Sequence, residues 1–178
     1  MMIKSFALLP LSQGLFATID LEDLSKVGQF KWHAQMVRRK DGSDLTYAVR
    51  NIPLQGGRKV RPRQKRQLLH RFLLGAKPGE HCDHINGDGL DNRMTNLRIC
   101  THSENIMNKR AQGGTSTFKG VHAYGCKSKW RVRIMVNGKR KHVGCFDDEQ
   151  EAARAYDTSA IQHFGEFARL NFPIPNQR

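Results

Sequence analysis

The sequence predicts an α+β protein built from two small modules, and three patterns support this. Residues 81–109 hold two short strand-like runs around a turn-rich segment, followed by a helix-forming run. Residues 129–136, "KWRVRIMV", alternate apolar with basic side chains at period two. Residues 148–164 carry apolar side chains at helical spacing. We therefore expect a strand-rich N-terminal module, then a three-stranded antiparallel sheet packed on one helix.

The N-terminal half is expected to alternate strands with short helices. The chain start carries a short apolar patch without a small-residue cleavage site, which favours a first strand over a signal peptide. "LFATIDLEDLSKVGQFKWHAQMV" and "LTYAVRNI" then predict strands around a short acidic turn or helix. "RQLLHRFLLGA" predicts an amphipathic helix that ends at Gly75.

The stretch 81–109 predicts a strand, a turn, a second strand and a helix. "HCDHI" and "NLRIC" are strand-like, and "NGDGLDNR" between them is rich in turn residues. Thr101 and Glu104 have the spacing of a capping box, which predicts a helix from about 102 to 109.

A polar segment around Gly113-Gly114 predicts the linker between the modules, which places them at 1–112 and 113–178. Asn137-Gly138 predicts a hairpin turn. Asp148 with Glu151 predicts the start of the final helix, and Gly165 its end. Its expected apolar stripe is Ala152, Ala153, Tyr156, Ala160, Ile161 and Phe164.

The charge distribution points to nucleic acid as the partner. The net charge is +14 and the sequence pI is about 10.1. The run 56–71 is basic without any acid, residues 113–146 also lack acids, and acids dominate 147–166. We therefore expect a basic sheet face that meets DNA and an acidic helix turned away from it. An anionic membrane would require a basic amphipathic helix, and the basic residues fall in strand-like and loop-like segments instead.

Two further patterns exclude other classes of protein. No run of about 18 apolar residues occurs, so no membrane span is predicted. The four cysteines form no CxxC pair, which argues against a zinc finger and favours free thiols in a reducing cytosol. The four cysteines are Cys82, Cys100, Cys126 and Cys145.

The dense stretch "HCDHINGDGLDNRMTNLRICTHSENIMNK" leaves two interpretations open from its residues alone. It is either a turn-rich surface loop or a site that cuts phosphodiesters. Asp83 and His84 are neighbours on a predicted strand, so their side chains are expected to point to opposite faces. A neutral imidazole such as that of His84 suits a general base near pH 7.

The spacing Asp83-His84, Asn96 and Asn105 resembles the HNH nuclease motif, in the variant found in phage and intron-encoded homing endonucleases. The last motif residue is Asn105 here, not His. The resemblance implies a ββα-metal core at about 81–109 with His84 as general base. It also implies that Asp83 and Asn105 hold one divalent cation, Mg²⁺ or Mn²⁺, through hard oxygen ligands. Asn96 would orient the imidazole or fix the loop backbone.

Residues 118–172 resemble the plant Apetala-type (ethylene-response-factor) DNA-binding domain, through "KGV", "WRVRI", "VGCF", "EAARAYD" and "LNF". The resemblance implies a three-stranded sheet that enters the major groove. The implied groove-facing residues are Lys119, His122, Arg131, Arg133, Arg140 and His142. His142 replaces a tryptophan of that family, so its base preference is not transferred.

The predicted function is a sequence-specific, metal-dependent DNA endonuclease of the homing type. A monomer would bind an asymmetric double-stranded site, without a small-molecule substrate or membrane, in the cytoplasm of a bacterial or phage-infected cell. Phosphate contacts are expected from Lys59, Arg61, Arg63 and Arg71, although Arg71 and His70 could instead tether their helix. The role of His81 is open. The alternatives are a non-catalytic DNA-binding regulator with a structural HNH-like loop and an RNA-binding protein.

Overall fold

A computed structural model describes residues 5–39, 42–54, 64–109, 114–125 and 129–173. The chain divides into two compact units, Met1–Thr101 and His102–Arg178. The predicted boundary at 112 falls outside the described ranges, and the observed division lies upstream of it. The helix that carries Asn105 therefore belongs to the second unit. None of the helices in the described ranges has the length and apolarity needed to span a membrane.

Within its described residues, the first unit contains three small antiparallel sheets and two short α-helices. Its elements are β1 (Phe6–Pro10), β2 (Phe16–Asp20), α1 (Leu24–Val27), β3 (His33–Arg38), β4 (Asp44–Pro53), β5 (Gln64–Leu68), α2 (Leu69–Leu73), β6 (His81–His84) and β7 (Leu97–Cys100). β1 pairs with β2, β4 lies between β3 and β5, and β6 pairs with β7. Alternate residues of β2, Ala17 and Ile19, enter a core that also contains Trp32, Leu69 and Leu97.

Helix α2 begins later than its sequence predicts. Residues 66–68 belong to β5, where Gln67 and Leu68 pair with Arg50 and Val49 of β4. Pairing with a neighbouring strand overrides the helical periodicity there. The predicted end is confirmed, since Gly75 follows the helix with a φ of 61°.

The β6–β7 hairpin confirms the two strands predicted around the turn. Its register places Asp83 opposite Arg98 and His84 opposite Leu97. Leu97 is part of the hydrophobic core, so the His84 face is the inner face of the hairpin. Asp83 and Arg98 share the other face.

The second unit confirms the predicted three-stranded sheet with one long helix. It contains α3 (His102–Met107), β8 (Val121–Tyr124), β9 (Lys129–Val136), β10 (Lys139–Phe146) and α4 (Glu149–Phe164). β9 is the central strand, and both its neighbours run antiparallel to it. Asn137 and Gly138 form the hairpin turn with φ of 51° and 74°.

Helix α4 is capped and packed largely as predicted. Asp148 Oδ1 accepts a 2.7 Å hydrogen bond from Glu151 N, and Gly165 ends the helix with a φ of 53°. One detail differs from the expectation. Ile161, predicted in the apolar stripe, is 39% exposed and lies outside the buried core. Asp157 is buried, and its carboxylate accepts hydrogen bonds from Asn171 N and Phe172 N, both at 2.8 Å.

Candidate active site

His84 lies at the end of β6 in a cluster of three rings. Its ring centroid is 4.7 Å from that of His70, with the two rings edge to face, and 5.9 Å from that of Tyr47. The side chain is only 6% exposed. Burial lowers the pKa of His84, and the Asn92 amide and nearby acids only partly oppose this. The imidazole is therefore neutral at pH 7, as a general base requires.

His70, whose role the sequence left open, packs against His84 in this cluster as an uncharged ring. It is buried in α2, and the pKa of its imidazole falls to about 3, first through burial and then through the charges of His84 and Arg71. Tyr47 lies 5.7 Å away between ring centroids. A group held neutral in this way links folding to proton binding.

We expect stability to fall as the pH drops from about 6.5 toward about 3, because the unfolded His70 takes up a proton that the folded ring excludes. His70 alone changes the free energy of unfolding by at most about 1.4 kcal/mol per pH unit. This change levels off below the pKa of His70 in the folded protein. Urea unfolding across this range measures it. A His70→Phe variant should show a shallower pH dependence, and an unchanged slope would contradict the assigned pKa of His70.

Asp83 is held by Arg98 on the face of the hairpin opposite His84. Asp83 Oδ2 accepts hydrogen bonds from Arg98 Nη2 at 2.8 Å and from Nε at 3.1 Å. Both side chains are about nine-tenths buried. A buried carboxylate is costly without a compensating partner, and Arg98 is that partner for the group that the sequence predicts as a metal ligand.

The predicted metal ligands fit a hard cation by their chemistry. Asp83 offers carboxylate oxygen, and Asn105, the fourth residue of α3, offers amide oxygen. Asp83 belongs to the first unit and Asn105 to the second. Across the described ranges, no group of three or more His, Cys, Asp and Glu side chains could hold a metal ion. The predicted site instead combines one carboxylate with one amide.

Asn96 fixes the backbone of the loop between the two strands. Its Oδ1 accepts a 2.9 Å hydrogen bond from Asn86 N, and its Nδ2 donates to Asp91 O at 2.7 Å. Its backbone carbonyl also accepts from Ile85 N at 2.9 Å. Of the two roles that the resemblance allowed, these bonds correspond to fixing the loop, since both ends of the amide are used by backbone.

The loop is further anchored on β2 and β4. Thr18 N donates to Leu90 O at 2.8 Å, and Asn92 N donates to Thr18 O at 2.7 Å. Gly89 packs so closely on β4 that an added Cβ would lie 2.3 Å from Thr46 O and 2.8 Å from the Tyr47 ring. The loop residues therefore act mainly as turn formers that hold the segment beside His84.

The basic residues of the first unit have different placements. Arg71 Nη1 donates to Glu80 O at 2.6 Å and Nη2 to Lys77 O at 2.8 Å, so Arg71 tethers α2 to the segment before β6. Lys59, Arg61 and Arg63 lie outside the described residues. His81 begins β6 and is half-buried. The DNA-contact roles of Lys59, Arg61, Arg63 and Arg71 stay predictions, and the role of His81 stays open.

The outer face of the second unit's sheet is a basic surface. His122, Arg131 and Cys145 form one row across its three strands, and Arg133 is paired with His142 in another. His122, Arg140 and His142 are exposed, whereas Arg131 and Arg133 are half-buried. The Arg131 guanidinium carbon lies 3.3 Å from the centre of the exposed Tyr124 ring, a cation–π contact that restricts the side chain.

Lys119 is engaged within the second unit. Its Nζ donates to the backbone carbonyl of Met107, the last residue of α3. Burial, followed by the charge of Arg169, lowers the pKa of Lys119 to about 8. A cation at the end of α3 suits the helix dipole, so this lysine supports the helix that carries Asn105.

Three residues near His84 and Asp83 were missed as site residues in the sequence. Arg98 could have been found by aligning the two predicted strands, because the register that pairs His84 with Leu97 also pairs Asp83 with Arg98. Tyr47 and Asn92 carry no such signal, since their position depends on long-range packing and on the loop path.

Comparison with known proteins identifies the domain around this hairpin. The HNH endonuclease family model matches residues 71–107, from α2 to α3. Protein 3.8 of Escherichia phage T7 is 33% identical over 110 residues, which cover 61% of this chain and 90% of that protein. The chain belongs to the family of T7 protein 3.8 and carries an HNH endonuclease domain.

Other relatives of this HNH protein cover different parts of it. An uncharacterized HNH endonuclease of Acanthamoeba polyphaga mimivirus is 28% identical over 172 residues, 93% of this chain and 80% of its own length. An AP2-like ethylene-responsive transcription factor of Arabidopsis thaliana is 42% identical over 48 residues, 27% of this chain and 11% of that protein. The HNH domain supports nuclease activity on DNA, and HNH endonucleases generally use a divalent metal ion.

Proposed function

We propose that this HNH protein is a homing-type endonuclease that hydrolyses phosphodiester bonds in double-stranded DNA at a specific sequence. The observation that carries the proposal is that the family match encloses a hairpin with a neutral imidazole on one face and a paired carboxylate on the other. One chain would bind an asymmetric site as a monomer, in the cytoplasm of a bacterial or phage-infected cell.

His84 would act as the general base. Its imidazole, held neutral by burial, would take the proton from the attacking water. General-base assistance of this kind typically contributes about 10²- to 10⁴-fold in rate. The ring is 6% exposed in the free protein, so the proposal requires that DNA binding admits water to the ring edge.

Asp83 and Asn105 would hold one divalent cation, Mg²⁺ or Mn²⁺, which supplies positive charge to the scissile phosphate and the departing 3′ oxygen. Arg98 orients the Asp83 carboxylate through its two hydrogen bonds. Asn96 contributes indirectly, because it fixes the loop that follows His84. Lys119 supports α3 from its C-terminal end.

The second unit would read the DNA sequence as an Apetala-type domain. Its basic sheet face has the composition for the major groove, where an arginine can bind guanine through two hydrogen bonds worth about 1–3 kcal/mol of discrimination. The partial match to AP2-like transcription factors and the contact of the Arg131 guanidinium with the Tyr124 ring support this assignment. Lys59, Arg61 and Arg63 would add contacts to phosphate.

A supercoiled-plasmid assay tests the proposal. A plasmid library that contains the target should yield nicked or linear DNA with Mg²⁺ and remain supercoiled with EDTA, and sequencing of the cut ends should return one preferred site. Binding without cleavage at any Mg²⁺ or Mn²⁺ concentration would instead favour a DNA-binding regulator. Cleavage that persists in EDTA would contradict the metal dependence.

Substitutions in the two basic regions should affect DNA binding differently. Arg131→Ala or Arg133→Ala should reduce the preference for target over random DNA, because these side chains lie on the sheet face that meets bases. Lys59→Ala or Arg61→Ala should weaken binding to both DNAs alike and lower the slope of log K against log salt by about one. DNA-binding titrations at several salt concentrations distinguish these effects. If all four variants lost the same affinity for target and random DNA, the proposed separation between base-contacting and phosphate-contacting residues would be refuted.

A further inference from the structure

Arg50 lies over a cluster of three aromatic rings in the first unit. Its guanidinium carbon is 3.5 Å from the centre of the Phe30 ring, 4.7 Å from that of Phe72 and 5.3 Å from that of Trp32. The Phe72 ring in turn lies 5.7 Å from Phe30 and 6.0 Å from Trp32 between ring centres. A guanidinium binds the faces of aromatic rings, so the cluster restricts an arginine that is only half-buried.

One hydrogen bond orients this guanidinium and leaves its outer end unused. Arg50 Nε donates to Gln67 Oε1 at 2.7 Å, across the β4–β5 pairing that places the two residues opposite each other. Among the described residues, Gln67 is the only hydrogen-bond partner of Arg50, and no carboxylate forms an ion pair with it. The two terminal Nη groups therefore have no acceptor in that part of the chain. Held in this way, they are preorganised for an anion that accepts two hydrogen bonds.

Two lysines add positive charge beside Arg50. Lys26 Nζ of α1 lies 5.6 Å from the centre of the Phe72 ring, the same ring that the Arg50 guanidinium contacts. Lys65 leaves the same face of β5 as the glutamine that holds Arg50, because the two are separated by one residue. Asp23 opposes this charge only weakly, since its Oδ1 is 3.8 Å from Lys26 Nζ at a partly exposed site. The surroundings of the guanidinium therefore favour an anion.

We propose that Arg50 binds a backbone phosphate of double-stranded DNA, with Lys26 and Lys65 adding charge around the contact. A phosphate accepts two parallel hydrogen bonds from the terminal nitrogens of an arginine. The net charge of +14 makes a polyanion the expected partner of the whole chain. The inference rests on the proposed function for the identity of that polyanion as DNA. It places a DNA contact on the described part of the first unit, outside the basic run 56–71.

The phosphate site shares its strand and its helix with the candidate general base. β4 carries Arg50 and also Tyr47, whose ring centre lies 5.9 Å from that of His84. α2 carries Phe72 beneath the guanidinium and also His70, whose ring centre lies 4.7 Å from that of His84. A phosphate bound at Arg50 is thus held by the elements that surround the imidazole. Phosphate contacts fix the register of a protein on its duplex without reading the sequence, which is the role of Arg50.

Three substitutions separate a phosphate contact from a general effect of charge. Arg50→Met keeps an apolar stem over the rings and removes the charge and the donors. Arg50→Lys keeps the charge and removes the pair of Nη groups. Arg38→Met is the matched control, because Arg38 is 75% exposed and lies opposite Asp44, at the far end of the β3–β4 pairing. It removes the same charge from the same unit, away from the aromatic cluster.

Binding of the full-length chain to a duplex of random sequence is measured in EDTA at several salt concentrations. Arg50→Met should lower the slope of log K against log salt by about one and weaken binding by about 3- to 10-fold at about 0.1 M salt. Arg50→Lys should keep the parental slope and still lose affinity, because an ammonium cannot make the paired contact. Arg38→Met should match the parent chain. A parental slope in Arg50→Met, or an equal fall in slope in Arg38→Met, would overturn the proposal.

Chemical modification of the parent chain tests the contact without any substitution, so the test survives if Arg50→Met does not fold. Phenylglyoxal modifies accessible guanidinium groups, and mass spectrometry of the digested chain reports each arginine. Saturating random duplex in EDTA should slow the modification of Arg50 several-fold and leave that of Arg38 unchanged. Inorganic phosphate at the same phosphate concentration should protect neither. Equal modification of Arg50 with and without DNA would overturn the proposal, and so would equal protection by inorganic phosphate, which indicates a site for a free anion.

The outcomes distinguish this inference from the proposed nuclease activity. A protein that binds DNA through Arg50 but never cuts it supports the inference and removes the nuclease. A protein that cuts DNA while Arg50 shows neither protection nor an effect on the salt slope keeps the nuclease and overturns the inference. Failure of the parent chain to bind any duplex overturns both.

Discussion

His84→Ala should abolish DNA cleavage while leaving DNA binding nearly intact. The substitution removes the base that accepts the proton of the attacking water, and general-base loss alone slows hydrolysis by about 10²- to 10⁴-fold. The basic sheet face lies in the second unit and is unchanged, so affinity for target DNA should remain. Single-turnover cleavage with saturating Mg²⁺ measures the first effect, and binding in EDTA measures the second.

His163→Ala provides the matched control for this experiment. His163 is an exposed histidine near the end of α4, in the second unit, so its loss removes the same side chain away from the hairpin. It should cut and bind DNA as the parent chain does. Cleavage by His84→Ala at the parental rate would refute the catalytic assignment, and joint loss of binding and thermal stability would make His84 a core residue only.

Local patterns were sufficient to predict much of the second unit. The Asn137-Gly138 turn, the alternation along β9 and the Asp148 cap depend on residues close in sequence, and all three are present. The burial of Asp157 was not predictable, because its partners, Asn171 N and Phe172 N, come from a segment that folds back on α4. Sequence spacing does not reveal such a return of the chain.

The site was predictable only where its chemistry follows strand geometry. Alternation along β6 places Asp83 and His84 on opposite faces, as expected, and Asn96 immediately precedes β7. The burial of His84 against His70 and Tyr47 was not predictable, because it depends on the packing of α2 and β4 around the hairpin. The arrangement of loop hydrogen bonds was equally inaccessible, since Asn92 and Asn96 look alike in the sequence and bind different partners.

Gly120→Ala should unfold the second unit or lower its melting temperature severely. Gly120 has a φ of 77°, and an added Cβ would lie 2.1 Å and 2.3 Å from two ring carbons of Tyr156 and 2.8 Å from Arg133 O. Tyr156 is buried in the core and Arg133 N is hydrogen-bonded to Gly120 O, so neither neighbour can move aside. Overpacking costs about 1–3 kcal/mol or more, and the left-handed backbone adds about 1–2 kcal/mol for a side chain.

Gly138→Ala isolates the backbone part of this cost. Gly138 has nearly the same φ, 74°, but an added Cβ would meet nothing within 4 Å. We therefore expect only the strain of about 1–2 kcal/mol there, and a smaller fall in melting temperature. Calorimetry of both full-length variants, with target-DNA binding measured alongside, gives the comparison. Equal melting temperatures for the two would mean that the Tyr156 ring yields to the new methyl group, and that the close approach of β8 to α4 does not require glycine.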